Sequence, residues 1–165
     1  MDRASADENG PLGGYRSILI PVDFSGPSLA AAELGTGLAA AFGARAALLH
    51  VYRLPAKNLT GFPIRDQELE EAAGQAEERL VGVQIELARP GLELQLASRG
   101  GEPAEQILAY AEEVRADLIV IGTHGKNGLT KLFVGSVTAE VLRRASCPVV
   151  VIREPGRLKG GSGRA

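Results

Sequence analysis

The chain has 165 residues, of which 45% are hydrophobic and 23% charged, with a formal net charge of -2. That length suits one domain with a sizeable core, and the near-neutral balance argues against a general nucleic-acid binder, which would show a basic excess or stripe. No apolar run approaches the roughly 18 residues of a membrane span, and a single cysteine permits neither an internal disulfide nor a metal cluster.

The first 14 residues are acidic and polar, where a secretory leader would be basic and then apolar, so a cytoplasmic location is expected. Residues 1–14 and 154–165 are rich in Gly, Pro, Ser and charge without an apolar period, and are predicted to be flexible tails around a domain at 15–153. Ser17-Ile-Leu-Ile-Pro-Val22 reads as a buried strand ending near Pro21. Ser25 or Ser28 can cap the following helix, with Pro27 in its first turn; Leu34, Leu38 and Phe42 recur at helical spacing, and Gly43 suits the C-cap. Ala46 to Val51 is a second apolar strand.

After a Pro- and Gly-containing connection from Tyr52 to about Arg65, Leu69, Ala73, Ala76, Leu80, Val83 and Leu87 define one face of a long helix, which Pro90-Gly91 breaks. Leu92, Leu94 and Leu96 alternate as a half-covered strand. A helix carrying Ile107, Leu108, Ala111 and Val114 follows Gly100-Gly101-Glu102-Pro103. Asp117 to Ile121 is the fourth strand, residues from Ser136 to about Arg144 a short helix, and Pro148 to Ile152 the fifth strand. Strict alternation with near-continuous apolar strands predicts a three-layer α/β/α, doubly wound, five-stranded parallel sheet. Ligands of such sheets bind beyond the carboxyl ends of the strands, where strand order reverses.

Two motifs are decoys. Gly35-Thr-Gly-Leu-Ala-Ala40 spells the dinucleotide fingerprint but lies inside the first helix, past the turn where that fingerprint works. Small residues there suit close helix-to-sheet contact instead. Gly125-Lys126 suggests a P-loop, G-x-x-x-x-G-K-[ST], but Val120 and Asn127 stand where Gly and Ser or Thr are needed.

What remains is Gly122-x-x-Gly125, nine residues, then Gly135-Ser136. Glycine permits close backbone approach to an anion, and the free N–H groups of a helix start favour negative charge. The hydroxyls of Ser136 and Thr138 can donate to phosphate oxygens, although the glycines could equally shape a turn and Ser136 cap a helix. Asp23, at the carboxyl end of the first strand, can accept from a base or ribose, help hold a cation, or cap the first helix. Val51 either walls the same crevice or belongs to the core.

Taken together these residues resemble the nucleotide-binding branch of the universal stress protein family, from about Tyr15 to Arg153. Ile18-Leu-Ile-Pro-Val-Asp-Phe-Ser25, Leu48-Leu-His-Val51, Asp117-Leu-Ile-Val-Ile-Gly-Thr-His-Gly125 with Gly135-Ser-Val-Thr138, and Cys147-Pro-Val-Val-Val-Ile152 carry the likeness. The second-last set matches the family signature G-x2-G-x9-G-[ST] without a gap. The resemblance implies a Rossmann-like, adenine nucleotide α-hydrolase-like sheet of order 3-2-1-4-5, with an ATP or AMP site between the first and fourth strands. Asp23 and Val51 would contact adenosine; Gly122, Gly125, Gly135, Ser136, Val137 and Thr138 would surround ribose and phosphates. Mg²⁺ or Mn²⁺ would accompany a triphosphate, and His124 either touches the nucleotide or packs the loop. Lys126 and Lys131 could assist electrostatically or form a solvated face.

The likeness also implies a homodimer through the last strand, Val149, Val150, Val151 and Ile152, whose apolar edge pairing would cover. Cys147 is expected as a small buried hydrophobe. The expected function is adenine-nucleotide binding in stress response or regulation, acting on protein partners the sequence does not identify. At most slow ATP hydrolysis is implied, or autophosphorylation with Ser136 and Thr138 as the acceptors. The alternatives are a nucleotide-free interaction module, a cyclic AMP binder, and an adenylating enzyme. The turn Asp-Phe-Ser-Gly-Pro-Ser28 departs from the Ser-Gly-Gly-x-Asp-Ser of such enzymes.

Overall fold

In the computed structural model, which describes residues 14–53, 66–123 and 135–153, the first strand β1 (Ser17–Pro21) is buried along its whole length. The chain then runs α1 (Gly26–Phe42), β2 (Arg45–Tyr52), α2 (Asp66–Glu86), β3 (Leu94–Gly100), α3 (Pro103–Glu113), β4 (Leu118–Gly122), α4 (Ser136–Arg144) and β5 (Val149–Ile152). The sheet order is β3-β2-β1-β4-β5, and every neighbouring pair is parallel. The doubly wound reading and its strand order hold. Apart from Gly14, both expected tails lie outside the described residues, as do His124, Gly125, Lys126 and Lys131.

Side chains of β1 and β4 alternate between two cores. Ile18, Ile20, Leu118 and Val120 pack with Ala31, Ala32 and Ala39 of α1 and Leu80 and Val83 of α2. Leu19, Ile119 and Ile121 pack on the other face with Ile107, Tyr110 and Ala111 of α3 and Val141 of α4. The α2 stripe is largely as its periodicity predicts, with Ala76, Leu80 and Val83 buried.

The first helix differs from expectation. Leu34 and Phe42 are exposed, and the buried face is Ala31, Ala32, Gly35, Thr36 and Ala39. The reason is proximity: a Cβ added at Gly35 would lie 2.6 Å from Ile20 Cδ1, so only small residues fit between helix and sheet. Phe42 instead meets Tyr15 edge-on, with ring centroids 5.6 Å apart. In α3, Tyr110 takes the inward place expected for Leu108, which is half-buried. The helix starts and stops follow the signals: Ser25 caps α1, Pro27 lies in its first turn, and Gly43 closes it in the left-handed region at φ 65°.

Asp117 fastens the amino ends of the two central strands. Its carboxylate accepts from the N–H of Arg16 at 2.8 Å and of Ser17 at 3.0 Å, and its own N–H donates to Ser17 O at 2.9 Å. With β1 and β4 aligned at that end, their carboxyl ends open side by side. There β1 has β2 on one flank and β4 on the other, and the connections leave to opposite faces. This is the topological switch point of the sheet.

Candidate functional site

Beyond Pro21 the chain makes a compact polar turn. Asp23 Oδ1 accepts from the Ser25 N–H at 3.0 Å and from the Ser25 hydroxyl. The Asp23 N–H donates to Ser28 Oγ at 3.2 Å, and Ser28 Oγ donates to Ser25 O at 3.0 Å. Asp23 thus braces Ser25, the residue that caps α1, while its second carboxylate oxygen makes no hydrogen bond among the described residues. Phe24 sits inside this turn at φ 63°, a left-handed backbone that costs a bulky residue about 1–3 kcal/mol. Its ring has two close neighbours: the His50 ring lies 4.6 Å away and the Arg79 guanidinium 3.8 Å from the ring centroid. His50 Nδ1 is 2.8 Å from Val22 O, so the Nδ1–H tautomer donates to it.

On the β4 side, Gly122 touches the start of α1. A Cβ there would stand 2.7 Å from Pro27 C and Ser28 N, so glycine is required by close approach of two backbones. Its carbonyl accepts from Thr138 Oγ1 at 2.7 Å, which seats α4 against the strand end. Thr138 is buried. Its hydroxyl proton is therefore committed inside the protein rather than presented to a phosphate, a correction to the role expected for it. Ser136 is exposed.

Thr123 N–H donates to Ile152 O at 2.8 Å, and Gly135 N–H donates to Thr123 O at 2.7 Å. Within α4 the first helical acceptor is Gly135 O, bonded by Ala139 N–H at 2.9 Å. The N–H groups of Ser136, Val137 and Thr138 consequently have no acceptor within the helix, and the dipole concentrates positive potential around them.

Asp23, Val51, Gly122, Gly135, Ser136, Val137 and Thr138 all line one cleft of about 650 Å³ at this edge. That volume lies in the range of small-molecule sites. His124 and Gly125 belong to the same signature but lie outside the described residues. One wall is apolar: Leu49 and Val51 of β2, Ile121 of β4, and Pro103 and Ile107 of α3. Such a wall suits a flat aromatic base, and the helix start opposite suits an anion.

The family model of the universal stress proteins matches residues 14–153. The chain belongs to the universal stress protein family. A universal stress protein of Methanocaldococcus jannaschii is 35% identical over 146 residues, covering 86% of this chain and 84% of that one. One from Thermus aquaticus is 36% identical over 145 residues, 84% of this chain and 99% of its own. Among solved structures, a universal stress protein from Lactobacillus plantarum superposes with a TM-score of 0.74 at 32% identity, over 85% of this chain and 99% of that chain. The Archaeoglobus fulgidus family member in complex with dAMP gives a TM-score of 0.55 at 27% identity, over 84% of this chain and 98% of that chain.

In this universal stress protein the cleft also holds residues that the sequence reading did not single out. His50, Arg53 and Arg79 line it. Arg53 pairs with the exposed Glu102 at 3.2 Å. A signal for Arg79 was present: it is the sole basic residue of an acidic helix, and neutral residues occupy every position three or four away. Farther out, Arg144 of α4 binds both Glu105 of α3 and Glu140, and Arg143 also binds Glu140. Arg144 holds the Glu105 carboxyl, and Arg143 followed by Arg144 the Glu140 carboxyl, below the usual carboxylate range. Being exposed, these pairs steer helix placement more than they stabilise it. Among the described residues no helix is long and apolar enough to cross a membrane.

Proposed function

We propose that this cleft binds an adenine nucleotide, ATP or AMP, and that occupancy regulates the protein's association with others in a stress response. The observation that carries the reading is the start of α4. Three backbone N–H groups without helical acceptors face a cleft whose other wall is apolar, at the switch point of the sheet. The dAMP complex of the Archaeoglobus fulgidus relative supports the base and the 5′-phosphate class.

In this arrangement the Ser136, Val137 and Thr138 N–H groups meet the phosphates. Leu49, Val51 and Ile107 enclose the base, and the free oxygen of Asp23 accepts from a ribose hydroxyl. Gly122 allows the β4 end to come close, Gly135 opens the helix, and His124 and Gly125 join from the signature. Ser136, exposed at the helix start, is the better placed of the two hydroxyls to receive a phosphoryl group.

A divalent cation fits only as a companion of the ligand. Among the described residues no group of three or more His, Cys, Asp or Glu could hold a metal ion, and Asp23 is the one carboxylate lining the cleft. Mg²⁺ or Mn²⁺ would be held by phosphate oxygens and water, with at most Asp23 from the protein, and would offset phosphate charge there.

Two copies are proposed to pair along β5. That strand ends the sheet order, and Val149, Val150, Val151 and Ile152 are each only half-buried in the single chain.

The test is calorimetric titration of ligand-stripped protein with ATP·Mg²⁺ and with AMP, beside mass spectrometry of the ligand released from freshly purified protein. Saturable binding to one site per chain is expected. Absence of heat up to millimolar nucleotide, with no copurified adenine compound, would favour a nucleotide-free interaction module.

A further inference from the structure

We propose that Arg79 forms a second anion-binding pole of the cleft, and that the preferred ligand carries a phosphoryl group on its ribose as well as at the 5′ position. Adenosine 3′,5′-bisphosphate is the simplest member of that class. The inference rests on the adenine-nucleotide reading above.

Arg79 stands in a helix that otherwise carries only acidic charge: Asp66, Glu68, Glu70, Glu71, Glu77, Glu78 and Glu86. None of these is three or four residues away, so Arg79 has no intrahelical ion pair. Among the described residues its guanidinium makes no salt bridge, and its contact is the face of the Phe24 ring at 3.8 Å. A guanidinium stacked on a ring keeps its N–H donors in its own plane, directed past the ring edge. Among the described residues its charge is paired with no carboxylate, and the ring sets where the guanidinium sits. Arg53, the other guanidinium of the cleft, is paired with Glu102.

The position of Arg79 in the fold gives its ligand. It lines the cleft, and the ring it rests on immediately follows Asp23, the residue assigned to the ribose. The α2 residues Leu80 and Val83 pack on the sheet face that carries α1, whereas Val141 of α4 packs on the opposite face. The cleft therefore receives positive potential from two sides of the sheet edge. A 5′-phosphate chain satisfies the α4 side. A phosphoryl group on the ribose is the part of a nucleotide that reaches the other side. An arginine beside the ribose accommodates a ribose phosphate in dinucleotide sites by the same chemistry. The donors of Ser25 partly offset the Asp23 charge at Oδ1, and the hydroxyl that remains on a ribose 3′-phosphate is left for its other oxygen.

The experiment titrates the full chain with AMP and with adenosine 3′,5′-bisphosphate, for the unsubstituted protein, Arg79→Gln and Arg79→Lys. The unsubstituted protein is expected to prefer the bisphosphate by roughly five- to tenfold, the increment of one charge-assisted phosphate contact at an exposed position. Arg79→Gln should collapse that ratio to near one, Arg79→Lys should keep part of it, and the preference should shrink as salt is raised. Circular dichroism confirms that each variant is folded. Equal affinities in the unsubstituted protein, or a ratio unchanged by Arg79→Gln, would overturn the proposal and leave Arg79 as a support for Phe24. Binding of AMP without preference sinks this inference alone; binding of neither ligand sinks the nucleotide reading with it.

Discussion

Replacing Gly122 by alanine tests how the β4 end is held. The added Cβ would stand 2.7 Å from Pro27 C and Ser28 N and 2.9 Å from Pro27 O. These are backbone atoms of the first helical turn, so no side-chain rotation relieves the clash. Moving from 2.7 Å to the 3.4 Å at which ordinary contact begins requires β4 and α1 to part by about 0.7 Å. Overpacking of this kind costs about 1–3 kcal/mol. At roughly 2–4 °C per kcal/mol for a domain of this size, the melting temperature should fall by about 2–12 °C. The same displacement carries away the carbonyl that Thr138 Oγ1 holds at 2.7 Å, and with it the α4 start. Nucleotide affinity should then drop about tenfold, equivalent to about 1.4 kcal/mol. Urea unfolding gives the stability change, and titration with ATP·Mg²⁺ gives the affinity. The matched control is Gly37→Ala in α1, where the added Cβ meets only Arg89 Nη2 at 4.0 Å. There the better helix former should stabilise by about 0.5–1 kcal/mol. A Gly122→Ala protein as stable as the unsubstituted one would refute the argument from backbone approach, whatever its affinity.

Other substitutions probe neighbouring features. Thr138→Val removes the donor to Gly122 O, and urea unfolding should show a loss of about 1–3 kcal/mol, against near-native stability for Thr138→Ser. Equal effects would show that the hydroxyl bond is dispensable. In β5, Pro148 O and Ile152 O accept from β4 and its following residue, so alternation turns the N–H of Val151 outward to the free edge. Val151→Pro should therefore convert a dimer to monomers in equilibrium sedimentation while the chain stays folded; a persistent dimer would place the interface elsewhere. Burial, and next the charge of Asp117, push the Cys147 thiol up. Its alkylation by iodoacetamide at pH 8 should be slower than that of glutathione and keep rising where an ordinary thiol has levelled off. Because unfolding lets this thiol ionise more readily, its contribution to stability declines as pH rises through the ordinary thiol range. Alkylation as fast as glutathione would contradict this shielding, which is partial because Cys147 is half-buried rather than fully buried as expected.

The sheet was legible because Ile18 to Ile20 and Leu118 to Ile121 are uninterrupted apolar runs, a pattern that only strands covered on both faces require. The order of glycines and hydroxyls after Ile121 likewise placed the cleft, since Gly122 and Ser136 mark a strand end and a helix start. Periodicity failed where distance, rather than hydrophobicity, decides which face turns inward. Leu34 and Phe42 are the larger apolar residues of α1, yet Gly35 and its small neighbours face Ile20 because nothing larger fits. Thr138 showed a second limit. A hydroxyl in a motif can serve a ligand or a carbonyl, and the choice of Gly122 O depends on how two segments distant in sequence meet. Arg79 reaches the cleft from α2, an element that carries none of the signature, so only its isolation among acids hinted at it.

The bond from Gly135 N–H to Thr123 O joins the two ends of the segment between them at 2.7 Å. Those ends are also fixed by other means, Thr123 through Ile152 O and the α4 start through Gly122 O. The walls of the cleft are therefore braced independently of how many residues connect them. Lengthening a connection whose ends are already fixed costs only about 0.6 kcal/mol per doubling of its length. An insertion between Gly125 and Gly135 should accordingly leave the strand end and the helix start in place, whatever it does to the contributions proposed for His124 and Gly125. The strand end and the helix start would then stand as a fixed frame of their own.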